Sequence, residues 1–237
     1  MKTGTVLWRL TLASMLLVSG CKRNGAPLLG KDPTADLPAR FKTQEAVPKP
    51  DFSEAAQDPK FKAAIQEIAT LFATSPKELK SDAEDEVVKG GASFDVPHEK
   101  LEGMLLQAHT NFLARGFYFF RYDNNFDIGG EMDRVGLLPT QDKYAVMAAM
   151  DTNGDNYDIG TAGVISWMKE LEQEQPYILP EIGFDYMAGI FVSPVKDAPG
   201  LAARMYQFCP DIVDQGVETV RALATELRKG KLYFWWD

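Results

Sequence analysis

The chain has 237 residues, 45% of them hydrophobic, with 25 basic against 34 acidic side chains and a formal charge of −9. That length and apolar content suffice for one sizeable core. The negative charge repels phosphate backbones and anionic lipid surfaces, so it argues against nucleic acid as a partner and against electrostatic adhesion to a membrane.

Met1 to Arg9 carries Lys2 and Arg9 and no acid, and Leu10 to Val18 is mostly apolar. Ser19 and Gly20 are small, and Cys21 follows directly. A basic start, a short apolar core and small residues at the cut predict an export signal over residues 1–20. Its apolar stretch falls short of the roughly 20 residues that span a hydrocarbon core. Leu17-Val18-Ser19-Gly20-Cys21 resembles the lipobox of bacterial lipoproteins. That resemblance implies diacylglycerol on the Cys21 thiol, cleavage before it and acylation of the new amino terminus. A multiple-chain anchor holds firmly, at about 0.8 kcal/mol per buried methylene. The expected location is therefore the cell envelope. Lys22 in place of an aspartate resembles the class sorted to the outer rather than the inner membrane in enteric bacteria. Loss of Lys2 and Arg9 with the signal leaves 23 basic and 34 acidic residues, net −11.

Residues 21–58 hold Pro27, Pro33, Pro38, Pro48 and Pro50 among charges, with few large apolar side chains. They read as a disordered, extended tether. Asp58-Pro59 reads as a helix cap with proline at the first position, and Phe61, Ile65, Ile68 and Phe72 give the helix one apolar face. Ser81 to Ala92, acidic and ending in Gly90-Gly91, is expected to be a loop, so residues 59–95 form a helical lead-in and acidic loop.

From Pro97 a second helix is predicted, with the stripe Leu101, Leu105, Ala108 and Phe112 and a stop at Gly116. Phe117 to Tyr122 and Lys143 to Met150 read as strands. Thr161 to Glu174 reads as a helix with Val164, Met168 and Leu171 inward. Gly183 to Val192 reads as a strand. Asp197 and Pro199 open a helix that runs to about Phe208. Gly216 to Lys229 reads as a helix with Val217, Val220, Ala224 and Leu227 inward, stopped by Gly230. Leu232 to Trp236, aromatic on both faces, is expected to be a central strand. The fold class is α+β: a single mixed sheet flanked by helices over residues 96–237, preceded by the N-terminal helix and the tether.

The chemistry-bearing candidates are few. Asp151-Thr152-Asn153-Gly154-Asp155 begins like a calcium loop, but the sixth position is Asn156 and the twelfth is Ala162. The pattern reads as a turn, and no metal or cofactor is implied. Asn125-Phe126-Asp127-Ile128-Gly129 echoes Asn156-Tyr157-Asp158-Ile159-Gly160, and both read as similar turns. His98, Glu102 and His109 share one helix side, but eleven residues of helix span about 16 Å, too far for one ion to bridge both histidines. If Cys21 is acylated, Cys209 is the only free thiol. A nucleophile there needs a base and an oxyanion donor, for which His98 or His109 and Gln215 or the Gly216 backbone are available. Its place on the apolar side of its helix favours burial instead. Asp211, Asp214 and Asp237 are candidate acids, with Gln215 as a candidate donor, and Trp235, Trp236, Asn156 and Tyr157 are candidates for a binding surface.

Tyr206-Gln207-Phe208-Cys209-Pro210-Asp211-Ile212-Val213-Asp214-Gln215-Gly216 and Leu232-Tyr233-Phe234-Trp235-Trp236-Asp237 resemble a C-terminal domain family of bacterial proteins whose function is unknown. So do Thr152 to Tyr157, Trp167 and Ile182 to Asp185. The resemblance runs from about Gly136 to the end. It implies that the polar positions belong to a recurring pattern, and it carries no activity or catalytic residue. The functional expectation is an anchored module that binds a protein or small ligand. A hydrolase or transferase using Cys209 or the acids, and an immunity-type antagonist of a toxin, stand as alternatives.

Overall fold

The computed structural model describes residues 32–81, 86–123 and 132–237. The export signal, Cys21 and the Asn125–Gly129 turn lie outside the described residues.

Helix α1 (Pro59–Phe72) begins as expected: the Asp58 side chain accepts from the Lys60 N–H at 2.8 Å, and Phe61, Ala64, Ile68 and Phe72 are buried. It ends at Ala73 in the left-handed region. The chain then forms β1 (Lys77–Ser81) and β2 (Glu86–Pro97). The expected acidic loop is thus largely strand. Two glycines misled the reading. Gly90, at φ +79°, lets the strand pass the Phe52 backbone, where a Cβ would stand 2.5 Å away, and a Cβ at Gly91 would meet Leu79.

The second helix is broken into α2 (His98–Glu102) and α3 (Leu105–Leu113) at Gly103-Met104, yet Leu101, Leu105, Ala108 and Phe112 are all buried as predicted. Then come β3 (Tyr118–Asp123) and β4 (Met132–Leu138). Lys143–Met150 is helix α4 rather than a strand. Asp142 caps it through the Tyr144 N–H at 2.8 Å. Val146 to Met150 are all buried, which erases the helical period from the sequence. Its alanines and methionines favour helix.

Helix α5 (Thr161–Glu174), strands β5 (Tyr177–Ile182) and β6 (Tyr186–Phe191) and helix α6 (Ala198–Phe208) follow. A π-helical turn (Ile212–Val217) ends at Glu218 with φ 68°, so α7 (Val220–Arg228) starts later than predicted, capped by Thr219. Gly230 stops it at φ +84°.

The sheet has seven strands in the order β1-β2-β4-β3-β5-β6-β7. All neighbours are antiparallel except β3 and β5, which are parallel and join the two halves. β7 (Lys231–Trp235) is therefore an edge strand, not a central one. Its aromatic content on both sides has another cause. Phe234 and Trp236 enter the core, while Tyr233 and Trp235 stay half-buried beside the π-helical turn.

Register defines the two faces. Phe94, Val135, Arg121, Glu181, Ala188 and Tyr233 pair successively across the sheet and so share one face. Helices α1–α3 cover that face over β2, β4, β3 and the near side of β5. The opposite face carries α4–α7 and the larger core, where Phe208 lies between the stacked Trp167 and the edges of Phe234 and Trp236.

From residue 32 onward, the segment expected to be a tether is docked. Leu37, Phe41 and Phe52 are buried, Phe41 packs edge-on to Phe208 at 6.3 Å, and Arg40 pairs with Glu170. Its prolines keep it extended, but its three large apolar residues find the body.

Candidate functional site

The family-like polar positions partly converge. Asp211, buried between α6 and the π-helical turn, accepts from four donors. Tyr157 Oη donates to Oδ1 at 2.6 Å and Gln215 Nε2 to the same oxygen at 3.1 Å. The Asp237 N–H donates to Oδ2 at 2.9 Å, and Asn156 Nδ2 reaches that oxygen at 3.5 Å while also donating to the Asp237 carbonyl. Asp211, Gln215, Asp237, Asn156 and Tyr157 thus form one cluster that ties the end of the chain to the turn after α4. Burial and the Asp211 carboxyl push the Tyr157 phenol up, so its proton stays as a donor. A side chain saturated in this way fixes geometry. Asp214 does not join it; it accepts from Tyr206 on the surface. Trp236 packs inside the core, its indole filling the space a Cβ at Gly154 would take.

Cys209 is fully buried. Its thiol donates to the Trp235 carbonyl at 2.9 Å, and burial pushes it well above the ordinary thiol range. The bases considered for it are engaged elsewhere. His98 Nδ1 lies 3.1 Å from both Asp133 oxygens. His109 Nδ1 bonds the Phe119 carbonyl at 2.7 Å, with burial holding the imidazole neutral. Neither histidine is therefore placed to act as a base for this thiol.

The calcium-like turn is also closed on itself. Asp151 Oδ1 accepts from Thr161, the Thr152 hydroxyl donates to Gly183, and Asn153 Oδ1 accepts from the Asp155 N–H. Among the described residues no group of three or more His, Cys, Asp or Glu is placed to hold a metal.

A second cluster was missed from the sequence. Arg121, in the middle of aromatic β3, is buried and binds three carboxyls. Glu181 accepts from Nε at 2.9 Å and Nη2 at 2.7 Å, Asp133 from Nη1 at 3.0 Å, and Glu102 from Nη1 at 3.1 Å. Although burial works against its charge, these acids hold the guanidinium charged. Burial pushes the Glu181 carboxyl up, with Arg121 opposing. The Tyr186 hydroxyl is shut from solvent and has no hydrogen-bond partner among the described residues. The only signal in the sequence was an arginine set among Tyr118, Phe119, Phe120 and Tyr122, a costly place for an unpaired charge.

This cluster sits where the two half-sheets meet, toward the carboxyl ends of the parallel pair β3 and β5, the position at which open sheets form crevices. Beyond it the helical layer ends, and the face continues over β5, β6 and β7. Its outward positions there, Tyr186, Ala188, Ile190 and Val192, with Ile178 and Trp235 alongside, are apolar and only part-buried; Val192 is 64% exposed. A solvated antiparallel face normally alternates to polar residues here.

Residues 134–237 match the family description "Domain of unknown function (DUF4253)". The match covers 104 of the 237 residues. No curated protein and no solved structure matches the chain at a significant level. The Asp211 cluster and the apolar face lie within the DUF4253 segment, whereas Arg121, Glu102 and His98 precede it. Strand β3, between β4 and β5, also precedes it. The DUF4253 segment of this chain is therefore completed by a strand from outside.

Proposed function

We propose that this chain is an envelope lipoprotein, held by acylated Cys21, whose folded part binds a protein or small ligand over the open face of β5–β7. The binding reading is carried by one observation: three alternate outward positions of the β6 region, Ala188, Ile190 and Val192, are apolar yet only part-buried or exposed among the described residues. Exposed contiguous apolar surface of this kind marks interaction sites. The closed Cys209 thiol and the saturated Asp211 favour binding over the cysteine- or acid-based chemistry considered above. Among the described residues no helix is long and apolar enough to cross a membrane, so the anchor is assigned to the lipid.

The test is site-specific photo-crosslinking in producing cells. A benzophenone side chain at position 188 should give a discrete adduct that a second substitution, Val192→Glu, removes. The same group at exposed Gln66 on α1 should give none. Equal labelling from both positions, or from neither, would contradict the reading.

A further inference from the structure

The Arg121 cluster does not balance. One guanidinium faces the carboxyls of Glu102, Asp133 and Glu181, so with every member ionised the set carries a surplus of two negative charges. The Asp133 side chain is 0% exposed and that of Glu181 4%, and a surplus of buried charge is costly. Tyr186 supplies no compensation, since its hydroxyl has no hydrogen-bond partner among the described residues. A proton on buried Glu181 lowers that surplus by one.

These groups come from different elements. His98 and Glu102 belong to α2, a five-residue helix that buries Leu101 alone. Arg121 and Asp123 face the site from β3, Asp133 from β4, Glu181 from β5 and Tyr186 from β6. From α3, the nearest titratable group, His109, is turned to the Phe119 carbonyl. Helix α2 is thus held to the sheet through one apolar side chain and two polar links into an unbalanced cluster.

We propose that the cluster is a proton-operated clasp: a proton on Glu181 holds α2 on the sheet, and its loss releases α2 and uncovers Arg121 beside the open face. The direction agrees with the buried setting of Glu181. A carboxyl raised in the fold contributes stability that is present at low pH and lost as pH rises through its folded value. Like charge then accumulates, and Glu102, on the most solvent-exposed of the three carboxyl positions, is the acid that can leave. The clasp needs no ligand and stands apart from the binding reading.

Hydrogen exchange of the full chain, followed by mass spectrometry from about pH 5 to about pH 9 and normalised for intrinsic rates, tests it. Protection of residues 98–105 should fall about tenfold more than that of α6 across this range. In Glu181→Gln most of that excess should vanish, and in Glu102→Gln, which removes a charge that raises the Glu181 carboxyl, the fall should shrink and move to lower pH. A wild-type profile parallel to that of α6 overturns the clasp, as does an undiminished fall in Glu181→Gln. Should Glu181→Gln not fold, Glu102→Gln decides alone: an unshifted profile overturns it.

Discussion

Replacing Asp211 by alanine removes the acceptor for three hydrogen bonds of ordinary length, from Tyr157 at 2.6 Å, Gln215 at 3.1 Å and the Asp237 N–H at 2.9 Å. Each such bond contributes about 1 kcal/mol net, and a buried donor left unpaired adds its own desolvation cost of about 1–3 kcal/mol. Gln215 and Asp237 are exposed and rehydrate freely, so only the half-buried Tyr157 hydroxyl carries that addition. The sum is about 4–6 kcal/mol for Asp211→Ala. Asp211→Asn, which keeps one acceptor oxygen but turns an amide N–H toward a donor, should cost about half as much. Urea unfolding reads both as a shift of the midpoint at unchanged slope. Tyr157→Phe should cost about 1 kcal/mol alone and much less in the Asp211→Ala background, because the two share one bond. An alanine variant that loses under about 1 kcal/mol, or tyrosine and aspartate effects that simply add, would refute the assignment of Asp211 as the tie between chain end and core.

Cys209 should be inert to a thiol reagent in the folded chain and titrate fully in denaturant; prompt labelling of the native protein would reopen the nucleophile reading. Phe41→Ala should cost about 3–4 kcal/mol at most and expose residues 32–58 to proteolysis, since Phe41 is the main apolar contact of that segment with Phe208. Unchanged protease resistance would show that docking does not depend on it. A fragment of residues 134–237 should lack a cooperative unfolding transition, because β3 is missing from between β4 and β5, whereas residues 32–237 should unfold cooperatively.

Where local chemistry decides, the sequence was readable. Asp58-Pro59, Asp197 with Pro199, and Gly230 mark helix ends through caps and φ preferences that act within a few residues, and they lie where expected. The mixed sheet flanked by helices followed from the alternation of such segments. What failed depends on distant neighbours. Lys143–Met150 looks like a strand because burial all round removes its period. Glu86–Pro97 looks like a loop because its glycines serve close approach to Phe52 and Leu79. Leu232–Trp236 looks central because its edge is flanked by the turn after Asp211 and by α7. The site divided in the same way. Asp211, Gln215 and Asp237 were legible as a recurring polar pattern, with Asp214 wrongly included because it lies one turn away on the surface. The Arg121 cluster draws on α2, β3, β4 and β5, so only the pairing of strands brings it together.

In the proposed function an acidic domain is held at a membrane through one residue, and the mature amino terminus tests that most directly. Tandem mass spectrometry of the protein purified from producing cells should find a first peptide that begins at Cys21 and carries acyl chains on that residue. A first peptide that begins at Met1, or one that begins at an unmodified Cys21, would contradict it.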